Sequence, residues 1–297
     1  MRATLFAVLL SLASAAGYAL AAVAQSRLAA GSPGPGALRA LLARPLWWWA
    51  VGLNAAGALT HVAALHYGPL TLVQPLGALT LVAALPVAAA YERRRVTRSE
   101  WRGALWTLTG LVALVAMTGP ATPGDALDLP EALAVAAATA LLIAALVGRN
   151  GTAVRGRGLG HATASGIASG VASALTQTVT ASVARELPGG PMTGWQTALL
   201  ALLVSVFATG GLLLSQAAFR GGLAAPLAVV NLANPAAAAV IGVALLGETF
   251  RAGPVGWLVA AAGAATAARG VILLTSGHPA PAPAPRVPEP DADPVTA

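Results

Sequence analysis

Apolar runs of about twenty residues, broken by short polar stretches, dominate the pattern of this 297-residue chain. A hydrocarbon core of about 30 Å takes roughly twenty apolar residues to cross as a helix. Nine segments come near that length: 3–27, 46–65, 69–90, 101–119, 130–147, 160–183, 195–217, 223–246 and 254–274. None alternates with period two, and unpaired backbone groups are too costly in lipid for anything but helices or closed barrels. The pattern therefore predicts an all-α integral membrane protein with about nine transmembrane helices. Glu92-Arg93-Arg94-Arg95 separates the third span from the fourth, and the fifth, bounded by Arg149, is the shortest. The first run could also pass for a signal peptide, with Arg2 ahead of it and Ala22-Val23-Ala24 near its end. Its length favours a membrane helix. After Ser276 alternating prolines predict a disordered tail over 277–297.

Composition sharpens this picture. Of the residues, 57% are hydrophobic and 9% charged, with a mean hydropathy of +0.75, whereas soluble domains carry roughly 25% charged residues. A chain so poor in charge cannot clothe a soluble globule. The net charge is +7 and all 17 basic residues are arginine. They sit between apolar runs and not along one face, which excludes nucleic acid as a partner and makes them topology signals. The loops after spans 1, 3, 5 and 7, with the C-terminal tail, hold 14 of them, and the opposite ends hold Arg2, Arg185 and Arg251. The positive-inside rule then puts the N-terminus outside and the C-terminus in the cytoplasm of a multi-pass plasma-membrane protein. Trp47, Trp48, Trp49, Trp101, Trp195 and Trp257 stand near segment starts, where interfacial rings belong. There is no cysteine, which removes disulfides, thiol catalysis and iron–sulfur clusters. HExxH, Walker-type and Gly-x-Ser-x-Gly signatures are missing too, and Gly156-Arg-Gly-Leu-Gly160 reads as a loop. The sequence predicts no enzyme and no cofactor.

The two halves resemble each other faintly. Pro69-Leu-Thr-Leu-Val-Gln74 matches Pro226-Leu-Ala-Val-Val-Asn231 at an interval of 157. Glu92 matches Glu248, Arg95 matches Arg251 and Trp101 matches Trp257 at 156, and Arg27 and Arg185 stand 158 apart. Pro, Glu and Trp are scarce enough for their agreement to carry weight. The expected organisation is a first four-helix repeat over 1–119, a linking fifth helix with its loops over 120–159, a second repeat over 160–276, and the tail. A shift of five spans turns the second copy upside down, the arrangement from which alternating-access transporters are built.

At these residues the chain resembles the drug/metabolite transporter (DMT) superfamily, in its EamA-like/NIPA-like branch. Gly68-Pro-Leu-Thr-Leu-Val-Gln-Pro-Leu-Gly77-Ala-Leu-Thr80 carries the resemblance, and Leu246-Gly-Glu248 is similar to the Gly-Glu that closes the penultimate helix of that superfamily's repeats. The resemblance implies a duplicated, inverted helical fold and transport of a small solute, with magnesium associated with the NIPA-like branch. The chain departs from it where Asn231-Leu-Ala-Asn-Pro235 replaces Gln74-Pro-Leu-Gly77, and where Arg27 stands without a basic cluster.

Polar groups within the spans are the candidates for chemistry. Glu92, Glu131, Glu186 and Glu248 all fall at segment ends, so no deep acid is at hand to exchange a proton for a cationic substrate. Gln74 beside Pro75, and Asn231 and Asn234 beside Pro235, pair a polar side chain with a residue that interrupts a helix, as a midplane site requires. Gln177 and Tyr18 are bulky and polar at membrane depth. The expected substrate cavity therefore comprises Tyr18, Gln74, Pro75, Gln177, Asn231, Asn234 and Pro235, with no metal ligand among them. Ser165, Ser169, Ser173 and the Gly166-Ile-Ala-Ser-Gly170 motif read as packing strips, and His61 and His66, five apart, as interface or packing residues. The reading is a carrier of a small polar or amphipathic solute, driven by a gradient or facilitative, with membrane lipid around it and a homodimer left open. A NIPA-like magnesium permease and a non-transporting scaffold or accessory subunit are the alternatives.

Overall fold

A computed structural model of the chain describes residues 2–31, 38–67, 73, 76–117, 127–150, 158–184, 192–245 and 250–276. Among these, every regular element is a helix: α1 (Arg2–Ala30), α2 (Leu38–Leu42), α3 (Pro45–Tyr67), α4 (Leu79–Tyr91), α5 (Arg98–Met117), α6 (Leu129–Asn150), α7 (Leu159–Ala184), α8 (Gly194–Ala218), a 3-10 turn (Phe219–Gly221), α9 (Ala224–Leu245) and α10 (Gly253–Ser276). A helix stands on each of the nine apolar segments, the third being described as a helix from Leu79. Five are long and apolar enough to cross a bilayer: α1, α6, α8, α9 and α10. α3, α5 and α7 reach 23, 20 and 26 residues but are less apolar. α3 carries Asn54 and two histidines, α5 opens on Arg98, Glu100 and Arg102, and α7 is rich in Ser, Thr and Gly. The outer surface exposes Leu5, Leu59, Leu141, Leu202 and Leu258, a density of apolar side chains that suits lipid and not water.

Three helices start on a reciprocal cap, in which a side chain at the boundary and one three residues on satisfy each other's backbone N–H. Thr97 and Glu100 do this for α5: the Thr97 N–H donates to Glu100 Oε2 at 2.8 Å and the Glu100 N–H to Thr97 Oγ1 at 3.2 Å. Asp128 and Glu131 serve α6 at 2.9 and 2.7 Å. On α8 the Thr193 N–H donates to Gln196 Oε1 at 2.8 Å.

Small residues decide which helices touch. α1 runs antiparallel to α3, with Ser14 Oγ donating to the Gly57 carbonyl at 2.8 Å and Gly17 backed onto Gly57 and Leu53. α7 runs antiparallel to α8, with Ser165 Oγ donating to the Gly211 carbonyl at 2.8 Å and Ser182 bonded to Thr197 at 3.0 Å. α4 packs beside α1, and α9 lies parallel to α7 along Gly166 and Gly170. α5 and α10 form an antiparallel seam in which Gly103, Gly110, Gly263 and Gly270 leave no room for a side chain: a methyl on Gly263 would lie 3.0 Å from the Leu114 nitrogen, and one on Gly270 would strike Thr107.

One end of the bundle gathers Arg27, Arg39, Arg44, Arg93, Arg94, Arg95, Arg98, Arg102, Arg220 and Arg269. Contacts across helices fix them there: Arg44 donates to the Gly31 carbonyl at 2.9 Å, Arg27 lies 3.7 Å over the Tyr91 ring, and Ser99 Oγ reaches the Leu273 carbonyl at 3.4 Å. At that end a single apolar core joins α1, α4, α5, the 3-10 turn, α9 and α10, through Ala22, Leu81, Leu85, Ala104, Phe219, Leu227 and Leu274. Toward the opposite end the core divides. One cluster holds Ala7, Ala64 and Val73, another joins α6, α7 and α8, and a third joins α5, α9 and α10.

Candidate substrate cavity

Gly166 and Gly170, one turn apart on α7, share a face, and α9 is pressed against both. A methyl on Gly166 would come 2.6 Å from Ala233 Cβ and 2.7 Å from the Val230 carbonyl, and one on Gly170 would come 2.8 Å from the Asn234 carbonyl. Ser173, Gln177 and Thr180 continue that strip over the following turns, yet all three are exposed. Farther along, α9 keeps hold of α7 on the neighbouring strip, where Ile241 joins Ala174 and Leu175, and α8 packs on the other flank at Ser165 and Ala168. The three side chains thus stand exposed on α7, between the strips that meet α8 and α9. The large exposed hydrophobic side chains of α1 are Leu5, Phe6, Leu9, Leu12 and Leu20, the residues of a lipid-facing surface. Amide and hydroxyl groups belong where water or a solute can reach them, and the exposed stripe of α7 is of that kind.

The expected break at Asn231 and Pro235 does not form: α9 runs on as one helix through both. Proline has no N–H, so Pro235 cannot bond the carbonyl of Asn231 one turn back. The Asn231 Nδ2 is buried and has no hydrogen-bond partner. A buried donor is therefore left unmet next to the α7 seam, where such vacancies are rare and costly, and the Asn231 carbonyl lacks its usual helical partner. Asn234 and Pro235 are half-buried, and it is the Asn234 backbone that meets Gly166 and Gly170. Of the residues expected from the sequence, these three come together with α7, and Gln177 lies on that helix's exposed stripe. Tyr18 sits on the α1–α3 seam, half-buried, with Gly57 beneath its ring. Gln74 and Pro75 lie outside the described residues. His61 is half-buried near Gly77, while His66 is exposed and meets Tyr67 edge-on at 5.2 Å.

Two polar clusters sit at the arginine-rich end. Gln25 of α1 is buried against the end of α8: Ser215 Oγ donates to Gln25 Oε1 at 2.8 Å and Gln216 Nε2 donates to the Gln25 carbonyl at 3.1 Å. The Gln216 Oε1 is buried and unpartnered. The adjacent pair Ser215-Gln216, ending an apolar run, was the sequence signal for it. The other cluster is Glu100, 2% exposed, held by Arg94 through Nη1 and Nη2 at 2.9 Å each. Burial pushes the Glu100 carboxyl up, but hydrogen bonds from Arg94 and Thr97 outweigh it and hold the group below its usual range, and Arg94 is raised in turn. Among the described residues no group of three His, Asp or Glu side chains is placed to hold a metal.

Over 135 residues the chain is 32% identical to an uncharacterised protein of Corynebacterium glutamicum, an alignment that covers 43% of this chain. The chain spans about half of that relative, 47% of its length. No protein-family model and no solved structure matches it.

Proposed function

We propose that the protein is a carrier of a small polar or amphipathic solute, built from nine spans as two inverted four-helix halves and working by alternating access. The unpartnered Asn231 Nδ2 and the exposed, polar, uncharged stripe of α7 carry this reading. They offer hydrogen bonds to a solute and no fixed charge to an ion.

Several contacts recur at matched places in the two halves and support the repeat. Ser14 bonds Gly57 as Ser165 bonds Gly211, and in each half the same serine's helix packs a small residue three positions on. The serines stand 151 apart, seven fewer than the interval between Arg27 and Arg185; seven residues are two helical turns and keep the same face. In the α5–α10 seam, Thr107 meets Gly270 and Leu114 meets Gly263, and both Thr107 to Gly263 and Leu114 to Gly270 span 156 residues, the interval between the two tryptophans. α1 ends where α8 ends and α7 runs against α8, so α1 and α7 point opposite ways, as inversion demands. With the arginine-rich end in the cytoplasm, the N-terminus is outside.

The native chain has no cysteine, which makes the test direct. Single cysteines at Gln177 and Asn231, probed in vesicles with a membrane-impermeant maleimide, should react from the aqueous side and be protected by the transported solute in a screen of neutral polar compounds. Inert thiols at both positions would refute the cavity. The magnesium-permease reading rests on the resemblance alone; a magnesium-sensitive dye in proteoliposomes decides it, and flux abolished by Asn231→Ala would favour it.

A further inference from the structure

Both ends of an alternating-access carrier cannot be open at once, and the packing distinguishes the two ends here. At the arginine-rich end α1 reaches across to the other half, meeting α8 and the 3-10 turn and sharing a core with α9. The counterpart of that contact under the repeat would join α7 to α3 at the opposite end. Among the described residues α7 and α3 do not pack together to a comparable extent. Apart from the α5–α10 seam, the core follows the same division: at the arginine-rich end one cluster takes in α1 and α4 together with the 3-10 turn and α9, while at the other only the cluster of α5, α9 and α10 crosses the halves and the remaining two each stay within one half.

We infer that this is the outward-open conformation, and that Gln25, Ser215 and Gln216 are the latch that keeps its cytoplasmic side shut. The inference rests on the alternating-access reading above. Two hydrogen bonds join the halves at this point, Ser215 Oγ to Gln25 Oε1 and Gln216 Nε2 to the Gln25 carbonyl. All three side chains are buried, at 2%, 7% and 7% exposure. The latch is only partly satisfied, because the Gln216 Oε1, buried with it, has no donor. A buried acceptor left bare destabilises the closed arrangement relative to one in which water reaches it. The bonds hold the gate while the vacancy keeps it from being permanent. A fully satisfied amide cluster, or an apolar one, would lack that bias toward release.

The test uses two reporters in the cysteine-free chain: Gln177→Cys on the exposed stripe of α7, and Ala228→Cys, wholly buried in the shared core. Each is labelled with a membrane-impermeant maleimide, in right-side-out and inverted vesicles. In the native background Gln177→Cys should label readily from outside and Ala228→Cys only slowly from the cytoplasmic side. Gln25→Ala with Ser215→Ala should raise the Ala228→Cys rate severalfold and lower the Gln177→Cys rate. Gln25→Cys with Ser215→Cys, bridged by oxidation or a short bifunctional thiol reagent, should stop labelling at Ala228→Cys and leave Gln177→Cys reactive. This second arm decides the matter where the alanine pair fails to fold. Slow but complete labelling of both reporters, untouched by the alanine pair, overturns the latch and leaves alternating access standing. Labelling of Ala228→Cys that persists in the bridged protein does the same. No labelling of Ala228→Cys in any background overturns both.

Discussion

Gly110 has no space for even one more carbon. A methyl there would lie 2.8 Å from the Ala267 Cα and collide with the backbone around it, whereas one on Gly52 would meet nothing within 4 Å. Overpacking a close-packed site costs typically 1–3 kcal/mol. Gly110→Ala should therefore lower the apparent melting temperature in detergent clearly, and Gly52→Ala should leave it alone. Glu100 gives a different test. Its carboxyl is held below the usual range in the folded state, so its contribution to stability is full above the unfolded-state pKa near 4.3 and is lost as pH falls through the lower folded value. Arg94 is a third exposed, so the pair is worth on the order of 1 kcal/mol. Glu100→Gln should cost about that much at pH 7, and the gap between variant and native melting curves should narrow as pH falls below the unfolded-state value. The charge pattern alone did not mark Glu100 as buried, because its burial depends on Arg94 folding back from the end of α4. Asn231 and Pro235 were legible, since an amide one turn before a proline inside an apolar run is a local signal.

Helices follow from the lengths of the apolar runs, so their order was readable from the chain, while their ends were set by capping. α5 begins at Arg98, ahead of the apolar run at 101, because the reciprocal bonds of Thr97 and Glu100 organise the turn before it. The short α2, five residues that include Arg39, has no long apolar run and left no trace in the hydropathy pattern. The serine and glycine strips of α7 were legible as packing surfaces, but not which neighbour each would meet. Ser165 and Ser169 took α8 and the glycines α9, whereas Ser173, expected to pack with them, stays exposed. Side-chain hydrogen bonds between helices in membranes are worth about 0.6 kcal/mol on average. Ser14→Ala and Ser165→Ala should each destabilise by about that amount in a lipid-based unfolding assay, and by similar amounts if the two contacts are equivalent. A cost confined to one of them would argue against the matched halves.

At the scale of the molecule, the proposed inverted repeat would relate the seam between α5 and α10 to itself by a half-turn: exchanging the two helices at an interval of 156 turns the Thr107–Gly270 contact into the Leu114–Gly263 contact. An isologous surface of this kind is what two identical subunits present to each other. On that reading, the joint through which the proposed halves meet is one that a free half could have used to pair with its own copy, head against tail in the bilayer. The covalent connection is then a convenience and not a requirement. Residues 1–150 and 151–297, produced as separate polypeptides in one cell, should find each other and co-purify, and Gly110→Leu in the first piece should abolish their reunion.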